Sequence, residues 1–197
     1  MNTLNLFPTA VSLFDYEGLS KKEIEFLKKQ KIRDNTGNKT SVDNYILNNK
    51  ELKKLKRFIE NCVNQYFKLI YQPKNNVSPY ITQSWCNYTK EGEFHHKHAH
   101  PNSFISGVFY VQADKEKDRI YFFKEKYEGI VVTPKIYNSY NSESWWVPIN
   151  TNNLVIFPSS LPHMVGQVTG EERISLSFNT FFKGEIGSST ELTNLSL

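Results

Sequence analysis

A chain of 197 residues, 39% hydrophobic and 22% charged, has enough length and apolar content for one globular domain and is not a disordered segment. Its formal net charge of +4 is mild, and the lysines gather in helix-like segments where a solvated face accounts for them, so no nucleic-acid partner is expected. No apolar run reaches the roughly 20 residues that cross a bilayer, no basic and apolar leader opens the chain, and Cys62 and Cys86 lack metal or redox spacing; the expectation is a cytoplasmic protein with reduced thiols and no membrane contact.

In chain order, Leu4 to Phe14 reads as a short strand or extended arm, interrupted at Pro8. Leu19-Ser20-Lys21-Lys22-Glu23-Ile24 predicts a helix start: Ser20 caps, Glu23 completes the capping box, and Leu19 can staple onto Ile24, with the helix running to about Lys31. The polar stretch from Asp34 to Asp43, with a Thr-Gly-Asn turn signal, predicts a loop. A second helix follows, with Leu52, Leu55, Phe58, Ile59, Cys62, Val63, Tyr66, Phe67 and Ile70 on one face and lysines on the other. Such a wide stripe packs against a sheet or another helix.

From about Tyr80 the pattern changes to short strands and turns. Strands are predicted at Ile81 to Tyr88, Phe104 to Val111, Arg119 to Phe123, from Trp145, and at Leu154 to Phe157, followed by a hairpin of Met164 to Val168 and Arg173 to Phe182. Tyr127 to Ser144 is expected to be a loop over the site or an edge hairpin. The aromatic content of 14% fits this strand-rich half. Helices followed by seven or eight antiparallel strands suggest a mostly β fold, a double-stranded β-helix (jelly roll, cupin-like) buttressed by two or three helices. The expected organisation is a single domain over residues 1–183, with helical support to about 75, a jelly-roll core from about 80, and a mobile polar tail over 184–197.

Four of the five histidines fall in Glu93-Phe94-His95-His96-Lys97-His98-Ala99-His100, and the fifth is His163. On an extended chain His96, His98 and His100 project to one side, with His95 and Lys97 opposite. Two imidazoles two residues apart can chelate one metal, and His163 is the remaining histidine able to join them. Imidazole suits Fe, Zn, Cu or Ni, so ligand type alone does not choose the ion; a solvated histidine-rich loop is the plain alternative. Arg173, Ser175, Ser177 and Asn179 share one face of the last strand. If that face points into a barrel, Arg173 and Ser175 offer a fork and a hydroxyl to a carboxylate.

This spacing resembles the Fe(II)/2-oxoglutarate-dependent dioxygenase superfamily, most closely its prolyl-4-hydroxylase-like branch and the small oxygenases of marine phages and bacteria. The resemblance covers about residues 80 to 182. It implies His98 and His163 as iron ligands, with His100 at the position where the superfamily carries a carboxylate, and Arg173-Ile174-Ser175 as the clamp on the far carboxylate of 2-oxoglutarate. The order Tyr88, Gly92, His98 selects His98 over His96. Tyr88 and Tyr110 are candidates to hydrogen-bond 2-oxoglutarate, with a plain barrel aromatic the alternative for each, and His96 and Trp85 are candidates for the substrate side, with packing the alternative for Trp85. The implied activity is oxidation of a peptidyl or small-molecule prime substrate, a hydroxylation, with Fe(II), 2-oxoglutarate and O2 as cofactor and co-substrates and release of succinate and CO2. A phage-encoded protein of this kind would work in the host cytoplasm.

The superfamily's carboxylate ligand is replaced here by His100, which leaves the metal centre one charge unit more positive. A different reading is therefore kept: a three-histidine, cupin-type metalloprotein, either a dioxygenase that uses no 2-oxoglutarate or a metal-binding module without catalysis. The prime substrate stays open among peptidyl proline, free amino acids, other side chains and nucleobases.

Overall fold

The computed structural model describes all residues except 126–128 and 131. Its elements in order are β1 (Ser12–Asp15), α1 (Lys21–Lys28), β2 (Ile32–Asn35), β3 (Asn38–Ser41), α2 (Lys53–Tyr71), β4 (Val77–Thr89), β5 (His95–His98), β6 (Ile105–Gln112) and β7 (Arg119–Phe123). They continue with β8 (Ser144–Pro148), β9 (Asn153–Pro158), β10 (His163–Val165), β11 (Arg173–Ile186) and β12 (Leu195–Ser196). The larger antiparallel sheet runs β1-β9-β6-β11-β4-β3-β2, with β12 paired to β11, and the smaller runs β5-β10-β7-β8. This is the jelly roll expected from the strand pattern, with two α-helices as its buttress.

Helix α1 starts where its capping residues stand. The Ser20 amide donates to Glu23 Oε2 at 2.7 Å and the Glu23 amide to Ser20 Oγ at 3.3 Å, an arrangement that stabilises a helix start by about 1 kcal/mol. It ends at Lys28, short of Lys31, because the chain must extend into β2. Helix α2 buries Leu55, Ile59, Cys62, Val63, Tyr66 and Phe67 against the outer face of the larger sheet, while Ile70 at its end is 41% exposed. Cys62 and Cys86 are both buried and free, and burial pushes the Cys62 thiol up to about 11.

The two faces of the larger sheet differ in chemistry, and strand register sets which residues go where. Ile174 pairs with Tyr88 and Leu176 with Cys86, and this row joins the helices in one core. The alternate row of β11 faces the smaller sheet. There Ser175 lies opposite both Asn87 and Tyr110, Ser177 opposite Trp85 and Val108, and Asn179 opposite Gln83 and Ser106. A second core of Val108, Tyr110, Ile120, Phe122, Val155 and Phe157 fills the space between the sheets. The backbone of β6 is approached closely at Gly107, where an added Cβ would sit 2.4 Å from the Phe178 ring.

Two expectations are corrected. The polar stretch expected as a loop is a hairpin, β2 to β3, whose inner strand pairs with β4 through Thr40 and Asn87. Its inward residues are polar yet satisfied: Asn38 Nδ2 donates to Thr89 Oγ1 and Thr40 Oγ1 to the Cys86 carbonyl, so the strand carries no apolar alternation to read. The tail is also held. β11 continues to Ile186, and β12 folds back to pair Glu185 with Ser196 and Ile186 with Leu195, through backbone hydrogen bonds that polar side chains do not prevent. The expected loop from Tyr127 lies partly outside the described residues, and no edge hairpin is formed by the described remainder before β8.

Candidate metal centre

The turn from β4 into the histidine cluster closes with the Glu93 amide donating to the Lys90 carbonyl at 3.0 Å. Gly92 at its third position has φ of +81°, a conformation that a residue with a Cβ adopts at a cost. β5 then pairs with β10, setting His98 opposite His163. His100 follows β5, with its amide donating to the Ser159 carbonyl at 2.9 Å. One nitrogen each of His98, His100 and His163 lies within 4.8 Å of the others.

Hydrogen bonds fix which nitrogen of each ring faces inward. His98 Nδ1 is 2.8 Å from the His96 carbonyl, His163 Nδ1 is 3.0 Å from the Leu161 carbonyl, and His100 Nδ1 is 2.6 Å from Asn179 Oδ1. Carbonyl oxygens only accept, so each Nδ1 carries the hydrogen and each Nε2 presents a lone pair. His100 Nε2 and His163 Nε2 are then 3.3 Å apart with no proton between them. Two nitrogens each ~2.1 Å from one ion and at right angles to it lie about 3 Å apart. A divalent cation would resolve the facing lone pairs, and outer carbonyl partners on Nδ1 are the usual support of metal-ligating histidines. The donor set fits Fe(II) as well as other divalent ions of the first transition row.

Burial keeps these rings neutral. It pushes His163 down to about 3, helped by the charge of His98, and His100 down to about 4 against the raising effect of the Asn179 hydrogen bond; His98 is lowered in the same way. His95, expected opposite the cluster, instead stacks on His98 with ring centroids 4.5 Å apart and is pushed down by burial to about 3. Simple alternation fails here because β5 and β10 pair with a register shift between His163 and Val165. His96 and Trp85 both line an open cleft of ≈ 400 Å³ above His98 and His100, and the Trp85 ring stacks on His100 at 5.8 Å.

Arg173 and Ser175 are buried on the inward face of β11. Burial lowers Arg173, while Tyr110 and Asp118 favour its charged form. Its Nη1 donates to Asp118 Oδ1 at 3.1 Å, and Asp118 Oδ2 accepts from the Asp114 amide at 2.9 Å. In the adjoining row, the Tyr110 hydroxyl and Asn87 Oδ1 are buried without a hydrogen-bond partner among the described residues. A buried guanidinium beside a hydroxyl free to donate suits a carboxylate-bearing ligand, whereas Asn87 Oδ1, an acceptor, could take only a donor. Tyr88 does not join it. Its hydroxyl donates to the Leu27 carbonyl at the end of α1, on the opposite face of the sheet, so the implied contact of Tyr88 with 2-oxoglutarate is corrected.

Three polar residues of the site escaped the reading of the sequence as site residues: Asn179, Asp118 and Asn87. Asn179 had a signal, since it continues the polar row of Arg173, Ser175 and Ser177. Asp118 and Asn87 had none.

Residues 83–179 match the family model described as "Putative 2OG-Fe(II) oxygenase". No curated protein matches the chain in sequence. Among solved structures, the chain is similar to HygX from Streptomyces hygroscopicus, determined with nickel and 2-oxoglutarate bound, with TM-score 0.60 and 8% identity over 87% of this chain and 82% of that one. An oxidoreductase of the 2OG-Fe(II) oxygenase family from Burkholderia pseudomallei gives 0.58 and 12% over 86% and 83%. A prolyl-4-hydroxylase from Pseudomonas putida gives 0.54 and 14% over 87% and 92%. At these identities the structures speak for the fold, and the family match speaks for the segment that carries the histidines and the arginine. The matched segment, residues 83–179, is thus similar to the 2OG-Fe(II) oxygenase family, and it holds all three histidines and the arginine.

Proposed function

We propose that the protein is an Fe(II)/2-oxoglutarate-dependent oxygenase in which His98, His100 and His163 hold the iron. The observation that carries this reading is the set of three imidazoles whose Nδ1 atoms are each spent on a carbonyl oxygen while their other nitrogens converge. Arg173 and Ser175, with the partnerless Tyr110 hydroxyl in the same row, would hold the far carboxylate of 2-oxoglutarate. Fe(II) held there, with 2-oxoglutarate and O2, supplies oxidative decarboxylation to succinate and CO2 coupled to oxidation of a prime substrate.

The chain's own residues supply orientation and exclusion of water. The His96 and Leu161 carbonyls and Asn179 set the ring orientations and tautomers. Phe122 and Phe157, whose rings lie 6.3 and 4.6 Å from that of His163, keep one side of the centre dry. The cleft over His98 and His100 is the side from which a prime substrate would approach. Hydroxylation of a peptidyl residue is the form of the reaction that the prolyl-4-hydroxylase resemblance favours.

One observation favours a second reading, a three-histidine metalloprotein that uses no 2-oxoglutarate. Arg173 already has a buried anion in Asp118, so its charge is balanced without a co-substrate. Calorimetry on protein loaded with Ni(II), which permits binding without turnover, separates the two. The oxygenase reading expects 2-oxoglutarate to bind only with metal present and to lose affinity in Arg173→Ala; no binding under any condition favours the second.

A further inference from the structure

We infer that the cleft over His98 and His100 selects an anionic, carboxylate-bearing prime substrate, a reading that rests on the oxygenase assignment and adds the class of substrate to it. The cleft holds ≈ 400 Å³, and among the described residues that line it there is no Asp or Glu, although the chain has 20 of them. Its one fully charged side chain is Arg33 on β2, whose guanidinium is 3.4 Å from Asn44 Oδ1. The neighbouring acid on that strand, Asp34, is turned to the other side and lies 3.4 Å from Lys39 Nζ. An exposed guanidinium with no lining acid to neutralise it gives a positive field at the mouth.

The floor of the cleft adds no negative side chain. His100 lines it as a neutral imidazole, so three histidines add no charge to a divalent ion, and bound 2-oxoglutarate, a dianion, would bring the centre to neutral and not to a net negative charge. Between mouth and floor the walls offer the amides of Gln83 and Asn44, which can donate to carboxylate oxygens, and the half-buried face of Trp85, stacked on His100. A substrate with a planar or apolar body against Trp85 and a carboxylate towards Arg33 satisfies every one of these groups. A cationic substrate would meet Arg33 with like charge and could use only the amide oxygens and the indole. The hairpin of β2 and β3 is therefore the selective wall of the site.

The test uses three probes of one shape and different charge, naphthoate, naphthamide and naphthylmethylammonium, titrated into the Ni(II)-loaded full chain with and without 2-oxoglutarate. The expected result is that naphthoate binds about fivefold tighter than the amide and tighter still than the ammonium, the size of effect an exposed charge pair gives. The preference falls away in Arg33→Gln and reverses towards the ammonium in Arg33→Glu. Equal affinity for the three probes overturns the inference. So does a preference for naphthoate that survives both Arg33 changes, since the carboxylate is then read by the metal alone. Binding of 2-oxoglutarate is measured separately in the same samples, so a charge-selective cleft without 2-oxoglutarate binding would sink the oxygenase reading and leave the cleft inference standing.

Discussion

His100 Nδ1 lies 2.6 Å from Asn179 Oδ1, and that same oxygen accepts the Ser106 hydroxyl at 2.9 Å. The amide oxygen thus fixes the tautomer of His100, one of the three converging histidines. Asn179→Ala removes the acceptor and lets the ring turn, so metal affinity should fall about 10- to 100-fold, as outer-partner losses do. Equilibrium dialysis against Fe(II) or Ni(II) checks this, with Asn179→Asp retaining or raising the affinity because a carboxylate accepts the same hydrogen.

Asp118 and Arg173 are 6% and 3% exposed and form one buried pair. Asp118→Ala leaves a buried guanidinium without its anion and should destabilise the protein by about 3–5 kcal/mol in denaturant titration. Added 2-oxoglutarate should recover part of that loss, since its carboxylate can take the vacated side of the guanidinium. The double substitution Asp118→Ala with Arg173→Met should cost less than Asp118→Ala alone.

The two tyrosines should respond differently. Tyr110→Phe removes a hydroxyl that has no partner among the described residues, so stability should change little while the KM for 2-oxoglutarate rises. Tyr88→Phe removes the donor to the Leu27 carbonyl and should cost about 1 kcal/mol of stability without touching that KM. Paired urea titrations and initial-rate measurements distinguish these outcomes.

The metal-free protein should weaken on acidification from about pH 6.5. His100 and His163 titrate near 4 and 3 in the folded chain, and His98 is lowered too, whereas the unfolded chain takes up these protons near the ordinary imidazole value of about 6.5. Between those limits the unfolded state binds more protons, so stability is full above the unfolded value and declines as the pH falls towards the folded ones. Urea midpoints from pH 7.5 to 4.5 follow this decline, and His163→Gln should flatten it. At pH 7 the rings are already neutral, so metal binding should release almost no protons, which calorimetry in buffers of differing ionisation enthalpy reads directly.

How much of this was legible in the sequence depended on whether chemistry or register did the selecting. The spacing of His98, His100 and His163 could be read through its resemblance to a known superfamily, and the structure brings one nitrogen of each within 4.8 Å of the others. The stripe of α2 and the capping box at Ser20 were equally legible, being local. Tyr88 and Tyr110 look alike in the sequence, and only the pairing of Tyr88 with Ile174 and of Tyr110 with Ser175 separates an outward ring from an inward one. The β2–β3 hairpin hid because Asn38 and Thr40 are buried by hydrogen bonding and not by apolar character. Asp118 meets Arg173 across 55 residues of chain, a distance over which one carboxylate among many carries no signal.

The central claim is that three neutral imidazoles hold an iron that works with 2-oxoglutarate. Succinate formed from 2-oxoglutarate by the anaerobically Fe(II)-loaded chain on admission of O2 tests it most directly. The account predicts succinate in proportion to bound iron, lost in His163→Ala and strongly reduced in Arg173→Ala. An iron-loaded protein that forms none, or one whose yield is unchanged by either substitution, would contradict it.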